Sequence, residues 1–188
     1  MSICFSSFPS LETNRLSLRR LCIEDVEEIF TLRTSEIVNR YLDRPKATSA
    51  EDAKAFINKI NSAIDANHSL FWAICFKEQS KLIGTICLWN FSEEQDKAEI
   101  GYELLPQFHG KGIMQEALSS IIDFGFQTLQ LINIEAWTRN QNGASKKILE
   151  RNHFTRNHDL EKKIDSAIEG PDLIIYSLSK DSYLNSGT

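Results

Sequence analysis

The chain has 188 residues, with 21 lysines and arginines against 26 aspartates and glutamates, a formal charge of −5. Hydrophobic residues make up 41 % and charged residues 25 %, the composition of a globular protein and not of a disordered, collagen-like or membrane-embedded chain. The size fits one domain, read as 1–188 with flexible ends at 1–10 and 181–188, and the negative balance removes the electrostatic footprint of general nucleic-acid binding while suiting a cationic substrate.

Leu16, Leu18 and Leu21, separated by Ser17, Arg19 and Arg20, read as a strand of roughly period two. Val26, Ile29, Phe30 and Arg33 then fall at helical spacing behind the acidic pair Glu24 and Asp25, which suits a helix N-terminus. A second helix opens at Thr48-Ser49-Ala50-Glu51, a capping-box string, and carries the stripe Ala53, Phe56, Ile57, Ile60 and Ile64. Two runs rich in β-formers, Leu70 to Phe76 and Leu82 to Trp89, are joined by a polar stretch and read as a hairpin, with a third strand from about Ala98 to Leu105. The loop Gln107 to Gly112 leads into the longest-looking helix, marked by Met114, Ala117, Leu118, Ile121 and Ile122. A strand over Asn133 to Thr138, a helix over Ala144 to Arg151 and a last strand over Leu173 to Leu178 complete the order β-α-α-β-β-β-α-β-α-β. That is an α/β (α+β) domain with no internal repeat.

No run approaches the roughly eighteen apolar residues of a membrane span, and the start Met1-Ser2-Ile3-Cys4-Phe5 lacks the basic flank and apolar stretch of a secretory signal. A cytoplasmic protein without a membrane partner is expected. Cys4, Cys22, Cys75 and Cys87 form no C-x-x-C pair and read as reduced, buried thiols. His68, His109, His153 and His158 show no ligand spacing, so no metal is expected.

A strand feeding a short loop with Gly110 and Gly112 that opens directly into a helix is a recipe for holding phosphate oxygens, because successive amides and the helix dipole point into one concavity. It is no Rossmann fingerprint, since Gln115 stands where the third glycine belongs, and no G-x-x-x-x-G-K-[ST] string occurs. The string Gln107-Phe108-His109-Gly110-Lys111-Gly112 resembles the Q/R-x-x-G-x-G/A loop of the GNAT (GCN5-related N-acetyltransferase) superfamily. The flanking Ala98 to Leu104, Gly112 to Leu118, Asn142-Gly143-Ala144-Ser145 and the opening Leu11-Glu12-Thr13-Asn14-Arg15-Leu16 look like its RimJ/RimL branch, over roughly positions 11–180.

The resemblance implies the GNAT fold, a mixed, mostly antiparallel sheet with a splayed parallel strand pair, and acetyl-CoA as co-substrate between those strands. It implies a bulge that frees backbone groups around Leu104 and Leu105 for the pantetheine arm and thioester, and a pyrophosphate held around Gln107 by the amides of Phe108, His109, Gly110, Lys111, Gly112, Ile113 and Met114. Asn142 would contact pantetheine and Ser145 would protonate the departing thiolate, though both are also ordinary helix-start residues. Three carboxylates are available as base: Glu135, which matches the position of a family glutamate acting through water, and Glu99 or Glu103, which alternation puts on one face. The family's Tyr general acid is missing from Leu149-Glu150-Arg151-Asn152-His153-Phe154, which shifts the acid role to Ser145, with Tyr102 as another possible acid. His153 in place of the usual Gly suggests a less tight helix exit.

The expected acceptor is a primary amine, foremost the α-amine of a ribosomal or other protein, with a small amine, polyamine or antibiotic as the alternative; a non-catalytic acyl-CoA sensor is the reading from another class. Monomer and homodimer stay open. The polar stretch Glu161 to Asp172 suggests a lid.

Overall fold

The computed structural model describes residues 7–163 and 172–186. Its elements are β1 (Leu11–Glu12), β2 (Leu16–Arg20), α1 (Val26–Thr34), α2 (Glu36–Asn39), α3 (Ala50–Asp65), β3 (Leu70–Phe76), β4 (Leu82–Trp89), β5 (Lys97–Leu104), α4 (Ile113–Asp123), β6 (Asn133–Arg139), α5 (Gly143–Arg151), β7 (Thr155–Arg156), α6 (His158–Glu161), β8 (Leu173–Ser179) and α7 (Lys180–Ser186). One eight-stranded sheet runs β1-β2-β3-β4-β5-β6-β8-β7. Every neighbouring pair is antiparallel except β5 with β6.

The sheet is apolar on both faces because its strands alternate. On one face Trp72, Ile74, Ile86, Leu88 and Ile100 pack with Ala117, Leu118 and Ile121 of α4. On the other, Ala73, Cys75 and Leu82 pack with Ile29 and Leu32 of α1 and Ala53 and Ile57 of α3. Burying a side chain of this size is worth about 1.5–3 kcal/mol, so the two layers fix the strand faces and hence every site residue carried on them.

Four details differ from expectation. The cap of α3 lies one residue later than the Thr48–Glu51 string: Ser49 accepts from the amide of Asp52, whose carboxylate in turn accepts from Thr48 and Ser49. The helix expected without a breaker after Gly112 is α-helical only to Asp123 and then widens into a π turn over Phe124–Thr128, where a Cβ on Gly125 would come within 3.0 Å of Ile134. The ends expected to be loose are tied down where described: the carbonyl of Pro9 accepts from the Trp72 indole at 2.7 Å, and Lys180–Ser186 is helical, with Tyr183 stacked on Phe126 and bonded to Asp123. Finally, His153 takes φ +65°, and the bonds from Phe154 N–H to Leu149 and from His153 N–H to Glu150 close α5 as tightly as a glycine would. The suggested lid lies almost wholly outside the described residues.

Candidate active site

Strands β5 and β6 are in register only at Lys97 with Asn133, Ala98 with Ile134 and Glu99 with Glu135. Beyond that point β5 stays with β4 as far as Leu104 and β6 stays with β8 as far as Arg139. Each strand keeps its outer partner and loses its inner one, so a wedge opens whose facing backbone edges are free of sheet bonds.

The bulge lies elsewhere than expected. β5 pairs with β4 without interruption, and the register shift falls between β3 and β4 at Ile74 and Cys75. Nor are the groups at the end of β5 all free: the Leu105 amide donates to the Ile83 carbonyl at 2.9 Å, the Leu105 carbonyl accepts from Phe108, and the Leu104 carbonyl lies 2.9 Å from Nε2 of His109. Leu104 and Leu105 contribute buried side chains and a fixed strand end.

The glycine loop starts as a 3-10 turn at Pro106–Phe108, which consumes the amides of Phe108 and His109 in bonds to Leu105 and Pro106. Those two amides are therefore already engaged within the chain. Gly110 and Gly112 adopt φ +73° and +71°, a region open to glycine at no steric cost, and α4 starts at Ile113 with its first intrahelical amide bond made by Glu116 to Gly112. The amides of Gly110, Lys111, Gly112, Ile113, Met114 and Gln115 have no hydrogen-bond partner among the described residues and lie at the positive end of the α4 dipole. Gln107 is exposed, and Lys111 extends its ammonium over the Phe108 ring, 5.6 Å from its centroid, instead of into the cradle.

Across the wedge, Asn142 caps α5 by accepting from the Ser145 amide at 3.1 Å, and the Ser145 hydroxyl lies 2.9 Å from the hydroxyl of Tyr102. Burial pushes the Tyr102 phenol well above its ordinary value, so it stays protonated at any physiological pH. Tyr102 shares strand parity with Ala98, Ile100 and Leu104, the face covered by α4; Glu99 and Glu103 lie on the other. Glu135 sits beside Glu99 on that second face, in the last paired register, with Nε1 of Trp137 at 3.3 Å and Nδ2 of Asn133 at 3.4 Å from its oxygens. Glu103 is engaged with Arg44 at 2.6 Å through one oxygen and with the Thr85 hydroxyl at 3.3 Å through the other, so both of its oxygens are already occupied. The wedge thus has a carboxylate on one side of the sheet, a hydroxyl pair on the other, and the amide cradle on the hydroxyl side. A cleft of about 250 Å³ adjoins the end of β6, lined by Arg40, Tyr41, Leu42, Asp43, Arg139, Gln141 and Asp172.

The thiols stand apart from this chemistry. Burial pushes Cys75 up to about 11 and Cys87 up to about 12, so neither supplies a thiolate nucleophile near neutral pH. No group of three His, Cys, Asp or Glu that could hold a metal occurs among the described residues, and no described helix is long and apolar enough to cross a membrane.

The acetyltransferase (GNAT) domain model matches residues 15–155. The chain belongs to the GNAT family of N-acetyltransferases. Among GNAT relatives, the "uncharacterized N-acetyltransferase YoaA" of Bacillus subtilis is 31 % identical over 173 residues, covering 92 % of this chain and 98 % of its own. The "uncharacterized N-acetyltransferase p20" of Bacillus licheniformis is 32 % identical over 177 residues, covering 93 % and 98 %. In fold the chain is similar to RimL, the ribosomal L7/L12 alpha-N-protein acetyltransferase, in complex with coenzyme A, with TM-score 0.79 at 21 % identity over 93 % of this chain and 99 % of that one. A GNAT acetyltransferase from Bacillus anthracis superposes with TM-score 0.76 at 22 % identity, covering 92 % and 99 %. GNAT enzymes take acetyl-CoA as co-substrate, and the open wedge with its amide cradle fits that ligand's extended arm and pyrophosphate.

Sequence reasoning passed over three residues that border this site. Thr13 and Arg15 belong to the opening motif and Glu116 to the helix after the loop, and the structure joins all three. Their separation of about a hundred positions hides the contact from any local pattern.

Proposed function

We propose that this GNAT enzyme acetylates the free α-amine of a protein or peptide N-terminus, with Glu135 as the base, acting through water, and Ser145 as the acid. The observation that carries the reading is that Glu135 stands at the point where β5 and β6 part, on the sheet face away from the Tyr102–Ser145 pair, whose hydrogen bond spans the same gap. Acetyl-CoA supplies an activated acyl carbon in the wedge. Glu135 takes a proton from the incoming amine by way of water on the α1/α3 side of the sheet, and the Ser145 hydroxyl gives one to the departing sulfur on the α4 side. Tyr102, neutral and half-buried, donates to Ser145 Oγ and so leaves the serine proton directed into the gap.

Acceptor chemistry favours an α-amine. Its reference pKa is about 7.7–8.0 against about 10.4 for a lysine side chain, so at pH 7 about one α-amine in ten is already neutral while fewer than about one lysine in a thousand is. A single water-coupled carboxylate therefore has less to do for the first than for the second. The adjoining cleft pairs Arg40 and Arg139 with Asp43 and Asp172, a mixed-sign lining that suits a peptide more than a polycation. RimL, which shares the fold, is named as an alpha-N-protein acetyltransferase. The test is release of CoA thiol from acetyl-CoA with short peptides bearing free N-termini, lysine peptides with blocked N-termini, and polyamines. Turnover is expected with the first class; turnover confined to either of the others would overturn the acceptor reading.

A further inference from the structure

The opening strand reaches the cofactor loop from the far end of the sequence. The Thr13 hydroxyl donates to Oε1 of Glu116 at 2.5 Å, the Arg15 amide donates to the same oxygen at 2.7 Å, and Nε of Arg15 donates to Oε2 at 2.6 Å. Glu116 makes the first intrahelical amide bond of α4, so this carboxylate is anchored one turn from the cradle. Burial raises the Glu116 carboxyl, but the bonds from Thr13 and Arg15 outweigh it and hold the group below its ordinary value. It is therefore ionised throughout the neutral range.

The guanidinium so held serves the loop. Its Nη1 donates to the Lys111 carbonyl at 3.1 Å, which turns that peptide's oxygen outward from the run of free amides. Its Nη2 has no hydrogen-bond partner among the described residues and lies 3.5 Å from the point where a Cβ on Gly112 would stand. A planar fork fixed at two of its nitrogens and open at the third, half-exposed beside a ring of amides, has the geometry of an anion ligand.

We infer that Arg15 is a phosphate-binding residue of this enzyme, positioned by Thr13 and Glu116, and that its Nη2 contacts the pyrophosphate of CoA at the Gly110–Gly112 loop. The inference rests on the wedge and loop being the CoA site. It also explains why the chain keeps a Thr-x-Arg string in a turn between two strands: the turn closes on itself through Thr13, whose hydroxyl accepts from the Leu16 amide at 2.9 Å, leaving Arg15 aimed at α4.

The test is isothermal titration of the full-length protein with CoA, dephospho-CoA and pantetheine. Arg15→Gln should weaken CoA and dephospho-CoA alike, by about tenfold or more, the usual scale for one charged hydrogen bond, and leave pantetheine, which has no phosphate, at wild-type affinity. Arg15→Lys should recover only part of the loss, because an ammonium cannot bridge Glu116, Lys111 and a phosphate at once. Glu116→Gln should reproduce a smaller loss by freeing the guanidinium. A thermal unfolding scan of each variant shows that the protein titrated is folded. Equal weakening of pantetheine would make the clamp a general support of the fold and overturn the assignment. So would an effect confined to CoA, which would move Arg15 to the 3′-phosphate, and so would unchanged affinity for all three. Failure of the wild-type chain to bind CoA at all would overturn the underlying cofactor reading together with this one.

Discussion

Removing the Tyr102 hydroxyl tests the acid side of the site without touching the reacting atoms. The hydroxyls of Tyr102 and Ser145 are 2.9 Å apart, a full hydrogen bond between neutral groups, and such a bond carries about 0.5–1.5 kcal/mol. If that bond orients the serine proton, Tyr102→Phe should lower kcat by about 2- to 13-fold and leave KM for acetyl-CoA within about twofold, since Tyr102 sits under α4 and not along the phosphate loop. Ser145→Ala should lower kcat by about a hundredfold or more, the range of a general acid. In the double variant the tyrosine has nothing left to orient, and kcat should equal that of Ser145→Ala alone. Steady-state CoA release with a peptide acceptor measures all four proteins, and their urea midpoints report any loss of folding. A double variant whose kcat is the product of the two single losses would refute the relay, because it would show the hydroxyls acting independently. A thioester with an already acidic leaving thiol sharpens the result: its rate should be indifferent to Tyr102→Phe.

Gly110 sits at φ +73° with open space around it, so Gly110→Val clashes with nothing in the protein but forces a β-branched residue into a left-handed backbone; we expect CoA affinity measured by calorimetry to fall at least tenfold while the chain loses about 1–2 kcal/mol of stability. His153→Gly should act in the opposite sense, relieving the left-handed strain at the exit of α5 and raising the unfolding midpoint by roughly 2–4 °C for about 1 kcal/mol, as differential scanning calorimetry would show. The lowered carboxyl of Glu116 makes a pH prediction. Its ordinary value is 4.5 and its folded value lies below that, so the clamp contributes stability in full above pH 4.5, and the contribution is lost as pH falls through the folded value. Between pH 6 and pH 4 the wild type should therefore lose more of its urea midpoint than Glu116→Gln does; parallel curves would show that Glu116 is not depressed.

What the amino-acid order reveals of this molecule is set by distance along the chain. Strands β2 to β6 and β8 and helices α1, α3, α4 and α5 are legible because each carries its own apolar period of two or 3.6 residues. The elements missed, α2 and α6 with four residues each, β1 and β7 with two each and the seven-residue α7, are too short to show a clear period of their own. Ser145 and Glu135 could be singled out from neighbouring motif residues, and the glycine loop from its place between strand and helix. The contacts that join them to their partners could not: Tyr102, itself a candidate acid, lies 43 positions from Ser145, and Thr13 lies 103 from Glu116. The amides of Phe108 and His109 are engaged for a local reason, since Pro106 starts a 3-10 turn that a glycine pattern does not announce.

The wedge itself follows from how β5 ends. Gly84 in β4 lies so close to β5 that a Cβ there would come within 2.5 Å of the Glu103 carbonyl and 2.7 Å of a Leu104 methyl, so only glycine lets the two strands approach to that distance. One residue earlier, the shifted β3–β4 register turns the Ile83 carbonyl toward β5, where it takes the Leu105 amide. Both contacts draw the last third of β5 onto β4 and therefore away from β6, which is held on its other side by seven registered pairs with β8. The gap between β5 and β6 is thus produced by attachment on its outer flanks, and no residue inside it is needed to prop it open. The inner edges are free to offer backbone groups to a ligand, while the carboxylate and the hydroxyl pair lie on opposite faces of a sheet whose strands are fixed from outside. In the proposed mechanism, a base and an acid separated by a strand gap, and not by a shared pocket, keep their proton transfers on opposite faces of the sheet, so the amine and the thiol approach and leave without crossing.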